Sequence, residues 1–223
     1  MLLGAAGTLV VAVVAVVLAL TLTGGKKTAP TVVNADLSAV SGIQQNGLVL
    51  GNPLARVTFT EYVDTSCPIC QEYVLNTFPT LSSEYVRTGK VKVEARVLAF
   101  VGPSSPRGRD LVLAAAKQGK AWQLLELLYQ NQGDETKTWL TDDLVRRLAA
   151  RIPGLDAARL LKDADSAAVG TQADSMDSEA QSDQVQATPT FFLTTPDGKR
   201  HYLTAGNYPP SAFAQKFDLA LKS

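Results

Sequence analysis

Histidine and cysteine are scarce in this chain, which has one His and two Cys among its 223 residues. A structural zinc site needs four ligands, usually Cys and His side chains, so the chain offers too few of them for such a site. It also lacks a net charge, because 21 basic residues balance 21 acidic ones, whereas a nucleic-acid-binding domain normally carries a basic excess. The composition indicates one globular domain enlarged by an insertion, and we expect no nucleic-acid partner.

Charged residues are also missing from the first 25 positions, where residues 2–23 are apolar or small throughout. About 20 apolar residues span a bilayer as a helix, and a cleaved signal peptide would normally have basic residues before its core and an A-x-A-like site after it. We therefore predict that residues 1–25 form an uncleaved, single-pass transmembrane anchor, with a cleaved signal as the alternative. Lys26 and Lys27 follow this segment and, by the positive-inside rule, favour a cytoplasmic domain, which conflicts with the redox chemistry considered below.

Residues 26–46 are polar, contain Gly and Pro and show no sustained periodicity, so we predict a linker there and a folded domain over residues 47–223. Two segments alternate apolar and polar residues as strands do, "ARVTFTEYV" at 55–63 and "KVKVEARVLAF" at 90–100. A helical pattern lies between them, with Pro79 expected to kink it. This order predicts a parallel pair of strands joined by a helical crossover.

The second half of the chain begins with helical patterns over about residues 101–184, which we interpret as a helical insertion. Two apolar runs follow within residues 188–206, and the "PDG" between them is a strong hairpin signal. The last segment, "PPSAFAQKFDLALKS", has the apolar stripe of a helix. The sequence therefore predicts an α/β fold in which a helical insertion separates a βαβ half from a ββα half.

Both cysteines lie in "CPIC", as Cys67 and Cys70 at the start of the predicted helix. A Cys in that position lies beside unsatisfied backbone N–H groups and the positive end of the helix dipole, which favour thiolate over thiol. Such a thiolate attacks a disulfide, and a second Cys one turn away resolves the mixed disulfide. We expect Cys67 to be the more exposed thiol, Cys70 the more buried one, and Pro68 to occupy a first-turn position.

Three interpretations of this pair compete: a redox pair, half of a metal site and a structural disulfide. The only His, His201, is far away in sequence, so a metal site is short of ligands. A disulfide across two residues constrains the unfolded chain little. We favour the redox pair, and keep as alternatives a copper or zinc chaperone or non-catalytic binding module that uses the two thiolates, and a transferase that uses a single Cys.

Three stretches, "LGNPLARVTFTEYVDTSCPIC", "FPTLSSEYVRTGKVKVEARVLAF" and "VQATPTFFLTTPDGK", make the chain resemble the DsbA-like thiol–disulfide oxidoreductases of the thioredoxin superfamily, particularly the membrane-anchored bacterial kind. The resemblance covers roughly residues 48–221. It implies a thioredoxin-like fold preceded by a transmembrane helix. It also implies an enzyme that exchanges disulfides with secreted or exported proteins without a prosthetic group, as an oxidase rather than a reductase or isomerase, and a membrane partner that reoxidises it.

The resemblance also implies roles for individual residues. Cys67 would be the attacking thiolate and Cys70 the resolving thiol. Pro189 would be a cis-proline packed against the pair. Thr188 would offer backbone hydrogen bonds to an extended substrate, which Pro68 and Ile69 would also contact.

Glu61 lies six residues before the first cysteine, where the superfamily has a buried acidic residue, and strand alternation independently places it on the apolar face. A buried carboxylate has a raised pKa and can relay a proton, so we expect Glu61 to accept the proton of Cys70 during exchange; the alternative is a carboxylate at the rim, at the end of the strand. We interpret Asp64 as a surface or capping residue. Ile69 stands where strong oxidants often carry His, which predicts a less oxidising pair.

Overall fold

The structure is a computed structural model that describes residues 33–203 and 209–223. The predicted transmembrane anchor, residues 1–25, lies outside this range. Within it, no helix has both the length and the apolar character that crossing a bilayer requires.

Six strands form a single mixed sheet, in the spatial order β1-β2-β4-β3-β5-β6. The strands are β1 (Gln45–Asn46), β2 (Val49–Leu50), β3 (Val57–Asp64), β4 (Val91–Leu98), β5 (Thr190–Thr194) and β6 (Arg200–Leu203). The central pair, β3 and β4, is parallel, and every other neighbouring pair is antiparallel. The predicted crossover pair and the predicted hairpin are therefore both present.

Eight α-helices and one π-helical turn surround this sheet in the described part of the chain. They are α1 (Pro68–Asn76), α2 (Phe78–Leu81), the π-helical turn (Ser82–Val86), α3 (Ser105–Ala116), α4 (Ala121–Gln130), α5 (Asp142–Ala149), α6 (Ala157–Ala164), α7 (Ala167–Ser182) and α8 (Pro210–Ala220). Helices α3 to α7 form the predicted helical insertion. The predicted kink is a full break, because α1 ends before Thr77 and Pro79 lies in the first turn of α2.

The two faces of β3 pack against different layers. Phe59 belongs to the larger core, where its ring lies 5.3 Å from Phe191 and 5.1 Å from Phe217 of α8. Tyr62 points to the opposite face, where it packs with Phe192 in a smaller cluster and donates a 2.5 Å hydrogen bond to Asp183, just after α7. The central strand is buried on both sides, as is typical of the parallel part of a sheet.

The compact domain begins earlier than the sequence indicates. The sequence predicts residues 33–46 as part of a linker, but Val33 and Val40 are buried in the core and Gln45–Asn46 forms strand β1. These residues are buried by contacts with segments distant in the sequence. Because the stretch is polar with only a few isolated apolar residues, it has no periodic pattern from which this burial could be predicted. The compact unit starts at residue 33.

The aromatic cluster around Phe59 leads to a stability prediction. Replacing Phe59 with Ala removes a side chain that is fully buried against three aromatic rings, so we expect the free energy of unfolding to fall by about 3–5 kcal/mol. Urea denaturation would measure this change. Leu54, which is highly exposed, provides the control, since Leu54→Ala should change stability by no more than about 0.5 kcal/mol. Equal losses in the two variants would contradict the assigned core.

Candidate active site

The CPIC motif lies directly beyond the end of β3, where the chain turns into α1. Cys67 is the N-cap of α1, with extended backbone angles, and Pro68 occupies the first helical turn as predicted. The backbone N–H of Cys70 donates to Cys67 Sγ at 3.3 Å. The sulfur of Cys67 therefore accepts one of the N–H groups that the start of a helix leaves without an intrahelical partner.

The two thiols are unlinked and differ in access. Cys70 is fully buried, whereas Cys67 retains 4% of its surface. The prediction that Cys67 is the more exposed of the two is confirmed, although only a small part of its surface is exposed. Ile69 between them is half exposed, so the motif presents an apolar side chain next to a narrow opening to the first thiol.

The surroundings of the two thiols separate their pKa values. The hydrogen bond from the Cys70 thiol is the main cause that lowers the pKa of Cys67 to about 6, with further contributions from Thr188 and from the N–H groups of Cys70 and Ile69, while burial opposes the shift. Burial, followed by the hydrogen bond to Cys67 and its charge, holds the pKa of Cys70 well above its usual value. At neutral pH the reduced pair is therefore a thiolate at Cys67 and a thiol at Cys70.

The segment that enters β5 forms the other wall of the site. The peptide bond between Thr188 and Pro189 is cis, and the Cys67 thiol lies 3.2 Å from the Thr188 carbonyl oxygen. Thr188 is 121 residues away in sequence, yet the antiparallel pairing of β5 with β3 brings it to the end of the strand that leads into the motif. The structure therefore places both residues of this predicted pair at the thiols.

Glu61 is completely buried beneath the motif, so the alternative of a rim carboxylate is wrong. The Tyr73 hydroxyl donates to Glu61 Oε2 at 3.0 Å, and the other carboxylate oxygen has no hydrogen-bond partner among the described residues. Burial raises the pKa of Glu61 to about 8, a shift that the Tyr73 hydrogen bond opposes and the charge of Glu126 increases. Tyr73 carries no motif that predicts it as a site residue, although its position three residues after Cys70 places both on one face of α1.

Asp64 is not at the surface, and this part of its interpretation is wrong; it is a buried capping residue. Its carboxylate accepts four hydrogen bonds, from the backbone N–H groups of Ser66, Phe100 and Val101 and from the Ser105 hydroxyl. These donors belong to the CPIC loop, the loop after β4 and the start of α3. Asp64 therefore ties three segments together at the end of the central strand.

The helical insertion supports the CPIC loop with side chains that no sequence pattern distinguishes. Gln132 Nε2 donates to the carbonyl oxygens of Thr65 at 2.7 Å and Cys67 at 3.2 Å. The Tyr129 hydroxyl donates to the Asp64 carbonyl oxygen at 3.0 Å. Trp139 Nε1 lies 3.3 Å from the Ser66 hydroxyl.

Two further observations describe the neighbourhood of the thiols. Phe100 is half exposed, and its backbone N–H is bound to the Asp64 carboxylate, which places it on the loop beside the motif. His201 is exposed on β6, two strands away from the β3–β4 pair. Among the described residues, no group of three or more His, Cys, Asp and Glu side chains is arranged to hold a metal ion.

Comparison with known proteins identifies the family. A family model described as thioredoxin matches residues 44–201. The chain is 30% identical over 147 residues to the probable disulfide bond formation protein D of Bacillus cereus, a match that covers 65% of this chain and 68% of that protein. It is 28% identical over 150 residues to the disulfide bond formation protein D of Bacillus subtilis, covering 65% of this chain and 66% of that one.

Solved structures show the same fold. The oxidised BdbD of Bacillus subtilis superposes with a TM-score of 0.70 and 24% identity, over 83% of this chain and 100% of that one. The alpha-DsbA1 of Wolbachia pipientis superposes with a TM-score of 0.65 and 19% identity, over 83% of this chain and 96% of that one. The predicted thioredoxin-like α/β fold is confirmed. The chain belongs to the thioredoxin family and is a DsbA-like thiol–disulfide oxidoreductase.

Proposed function

We propose that this enzyme is an extracytoplasmic protein disulfide oxidase, which introduces disulfides into secreted or exported proteins through Cys67 and Cys70. The observation that carries the proposal is the opposite environment of the two thiols, which favours a thiolate at Cys67 and a thiol at Cys70. The names of the Bacillus relatives, disulfide bond formation proteins, support the oxidising direction.

The reaction starts from the Cys67–Cys70 disulfide. A substrate thiolate attacks Cys67 Sγ, which forms a substrate–Cys67 disulfide, breaks the Cys67–Cys70 bond and releases Cys70 as a thiolate. A second substrate thiolate then attacks the substrate sulfur of this mixed disulfide and releases Cys67. The substrate loses two electrons, and the enzyme pair gains them. The low pKa of Cys67 makes it a good leaving group in the second step.

Glu61 handles the proton of Cys70 in this cycle. With a pKa of about 8, its carboxyl group is protonated at neutral pH and can supply a proton when Cys70 leaves as a thiolate. During reoxidation the transfer reverses, and Glu61 accepts the proton of the Cys70 thiol so that its sulfur can attack the mixed disulfide. Tyr73, bonded to Glu61 Oε2, holds the carboxyl group beneath α1.

The surroundings of the opening to Cys67 fit an extended substrate. Thr188 contributes the main chain next to the thiol. Pro68 and Ile69 contribute exposed apolar surface in the first turn of α1, and Phe100 contributes it on the loop after β4. No prosthetic group enters this chemistry, because the electrons reside in the cysteine pair. A membrane redox partner would reoxidise the pair, and residues 1–25 would tether the domain to the outer face of the cell membrane.

The direction of electron flow can be tested through the reduction potential of the Cys67–Cys70 pair. Because the Cys67 thiolate is stabilised, the reduced form is favoured and the disulfide should be oxidising, with a potential above about −200 mV. Equilibration of the full-length chain in glutathione buffers measures it. A potential near about −270 mV would instead identify a thioredoxin-like reductant. Stoichiometric Cu(I) or Zn(II) binding without any disulfide exchange would favour the metal chaperone.

The source of the low Cys67 pKa can be tested with two substitutions of Cys70. Alkylation of the reduced enzyme should follow a titration midpoint near pH 6. Cys70→Ala removes the main hydrogen bond to the thiolate, so we expect the rate at pH 6 to fall by about fivefold, as for a pKa one unit higher. Cys70→Ser keeps a donor and serves as the matched control, with a midpoint closer to that of the wild type. Identical midpoints in all three proteins would exclude this hydrogen bond as the cause.

The role of Glu61 predicts the behaviour of Glu61→Gln. The amide cannot exchange a proton with Cys70, so the Cys70-dependent step should slow by about 100-fold near pH 7 and lose its dependence on pH around 8. Stopped-flow kinetics of mixed-disulfide resolution between pH 5 and 9 would measure both effects. Glu94→Gln, which replaces a half-buried carboxylate on the adjacent strand β4, is the control and should leave the profile unchanged.

The same variant has a second, thermodynamic signature. Since the pKa of Glu61 is raised in the folded protein, the folded state keeps a proton that the unfolded chain releases, and wild-type stability should fall relative to Glu61→Gln as the pH rises from about 5 to 8. If Glu61→Gln and the wild type exchanged disulfides at the same rates across this pH range, the proton relay would be excluded, even if their stabilities differed as expected.

A further inference from the structure

Two side-chain amides at the end of α4 bind the main chain of residues 33–36, a segment we call the strap. Asn131 Oδ1 accepts from the Asn34 N–H at 2.9 Å, and its Nδ2 donates to the Asn34 carbonyl oxygen at 2.8 Å. Gln130 binds the N–H and carbonyl oxygen of Asp36 in the same two-point way. The amides therefore hold alternate residues of the strap, much as a neighbouring strand would.

Tyr129 and Gln132, on either side of these two amides, form hydrogen bonds to the loop that carries Cys67 and to α1. The Tyr129 carbonyl oxygen accepts from Gln71 Nε2 of α1 at 2.7 Å, and the Tyr129 hydroxyl reaches the main chain of Asp64. Gln132 donates to the carbonyl oxygens of Thr65 and Cys67. Four consecutive residues, 129–132, thus bind two different partners. The outer two hold the loop that carries Cys67, and the inner two hold the strap.

The end of a helix explains why this arrangement matters. The last carbonyl groups of α4 have few donors within the helix. Those of Leu127, Leu128 and Tyr129 accept long hydrogen bonds, 3.2–3.3 Å, from the backbone N–H groups of residues 131 and 132, and can take further donors. Side-chain amides supply several of them: Asn34 Nδ2 donates to the Gln130 carbonyl oxygen at 3.1 Å, and Asn131 Nδ2 donates to that of Leu127 at 2.8 Å. The strap therefore helps to keep the final turn of α4 in place, and that turn carries Tyr129.

The position of Cys67 is held within narrow limits, since its sulfur lies 3.3 Å from the Cys70 nitrogen and 3.2 Å from the Thr188 carbonyl oxygen. Its own carbonyl oxygen accepts from the Gln71 N–H at 3.0 Å and from Gln132. A shift of the α4 end would reach the thiol through these last contacts.

We propose that Gln130 and Asn131 are positioning residues for the redox pair, because by binding the strap they fix the end of α4 and, with it, the contacts that hold Cys67. The inference rests on the proposed function, in which Cys67 forms the mixed disulfide with the substrate and then leaves as a thiolate. It makes the strap, which is distant from the motif in sequence, a part of the machinery for disulfide exchange.

The experiment compares Gln130→Ala and Asn131→Ala with Gln118→Ala. Gln118 is a matched control, because its amide binds the N–H of Asp156 at 3.0 Å and the carbonyl oxygen of the same residue at 3.2 Å, between α3 and α6. The equilibrium constant of the full-length chain with glutathione and the pH midpoint of Cys67 alkylation are measured for each variant.

A less firmly held Cys67 loses part of its thiolate stabilisation, so the reduced form becomes less favoured and the disulfide less oxidising. We therefore expect the equilibrium constant for substrate oxidation to fall by about three- to tenfold in Gln130→Ala and Asn131→Ala, with a higher alkylation midpoint. Gln118→Ala should lower the urea midpoint of unfolding to a similar extent but leave both redox quantities at wild-type values.

The inference would be overturned if Gln130→Ala and Asn131→Ala both had the same glutathione equilibrium constant and the same alkylation midpoint as Gln118→Ala. If Asn131→Ala fails to fold, Asn131→Asp replaces it, because it keeps the acceptor for the Asn34 N–H and sets a carboxylate oxygen against the carbonyl oxygens that Nδ2 binds. If Gln130→Ala fails to fold, Gln130→Glu does the same towards Asp36. Wild-type redox behaviour in these replacements would also overturn the inference. A wild-type chain that shows no dithiol–disulfide equilibrium would instead remove the proposed function itself, which distinguishes the two failures.

Discussion

The buried carboxylate of Asp64 is the interaction on which the redox site depends. A charge taken out of water must be compensated by hydrogen bonds. Asp64 receives four, from the segments that follow β3 and β4 and from the start of α3. These four hydrogen bonds join the turn between β3 and α1 to the loop after β4 and to α3. The direction of the CPIC loop is therefore fixed by an interaction outside the motif.

Two carboxylates of the same strand serve opposite purposes because they have different numbers of donors. Asp64 has four, whereas the described structure shows a single hydrogen bond to Glu61, from Tyr73. Burial that is so little compensated raises the pKa of Glu61 to about 8. Asp64 thus joins three segments of the fold, whereas Glu61 keeps its proton at neutral pH.

Features that follow a short period or a local rule can be predicted from the sequence. Strand alternation places Glu61 on the buried face, and the chemistry of helix starts distinguishes Cys67 from Cys70. Such local rules cannot predict the hydrogen bonds of Asp64, since three of its four donors lie between 36 and 41 positions after it in the sequence. Residues 33–46 resemble a linker for the same reason: their contacts are with distant helices and carry no periodicity.

The low exposure of Cys67, 4% of its surface, bears on whether a protein substrate would be oxidised before or after it folds. A sulfur at the bottom of so small an aperture meets another sulfur only if the incoming chain is slender and can bend towards it. A cysteine on the surface of a folded protein is surrounded by other residues, which would keep its sulfur away from Cys67. For the proposed oxidase, such limited access would favour protein substrates that are still unfolded, so that a disulfide forms before the substrate becomes compact.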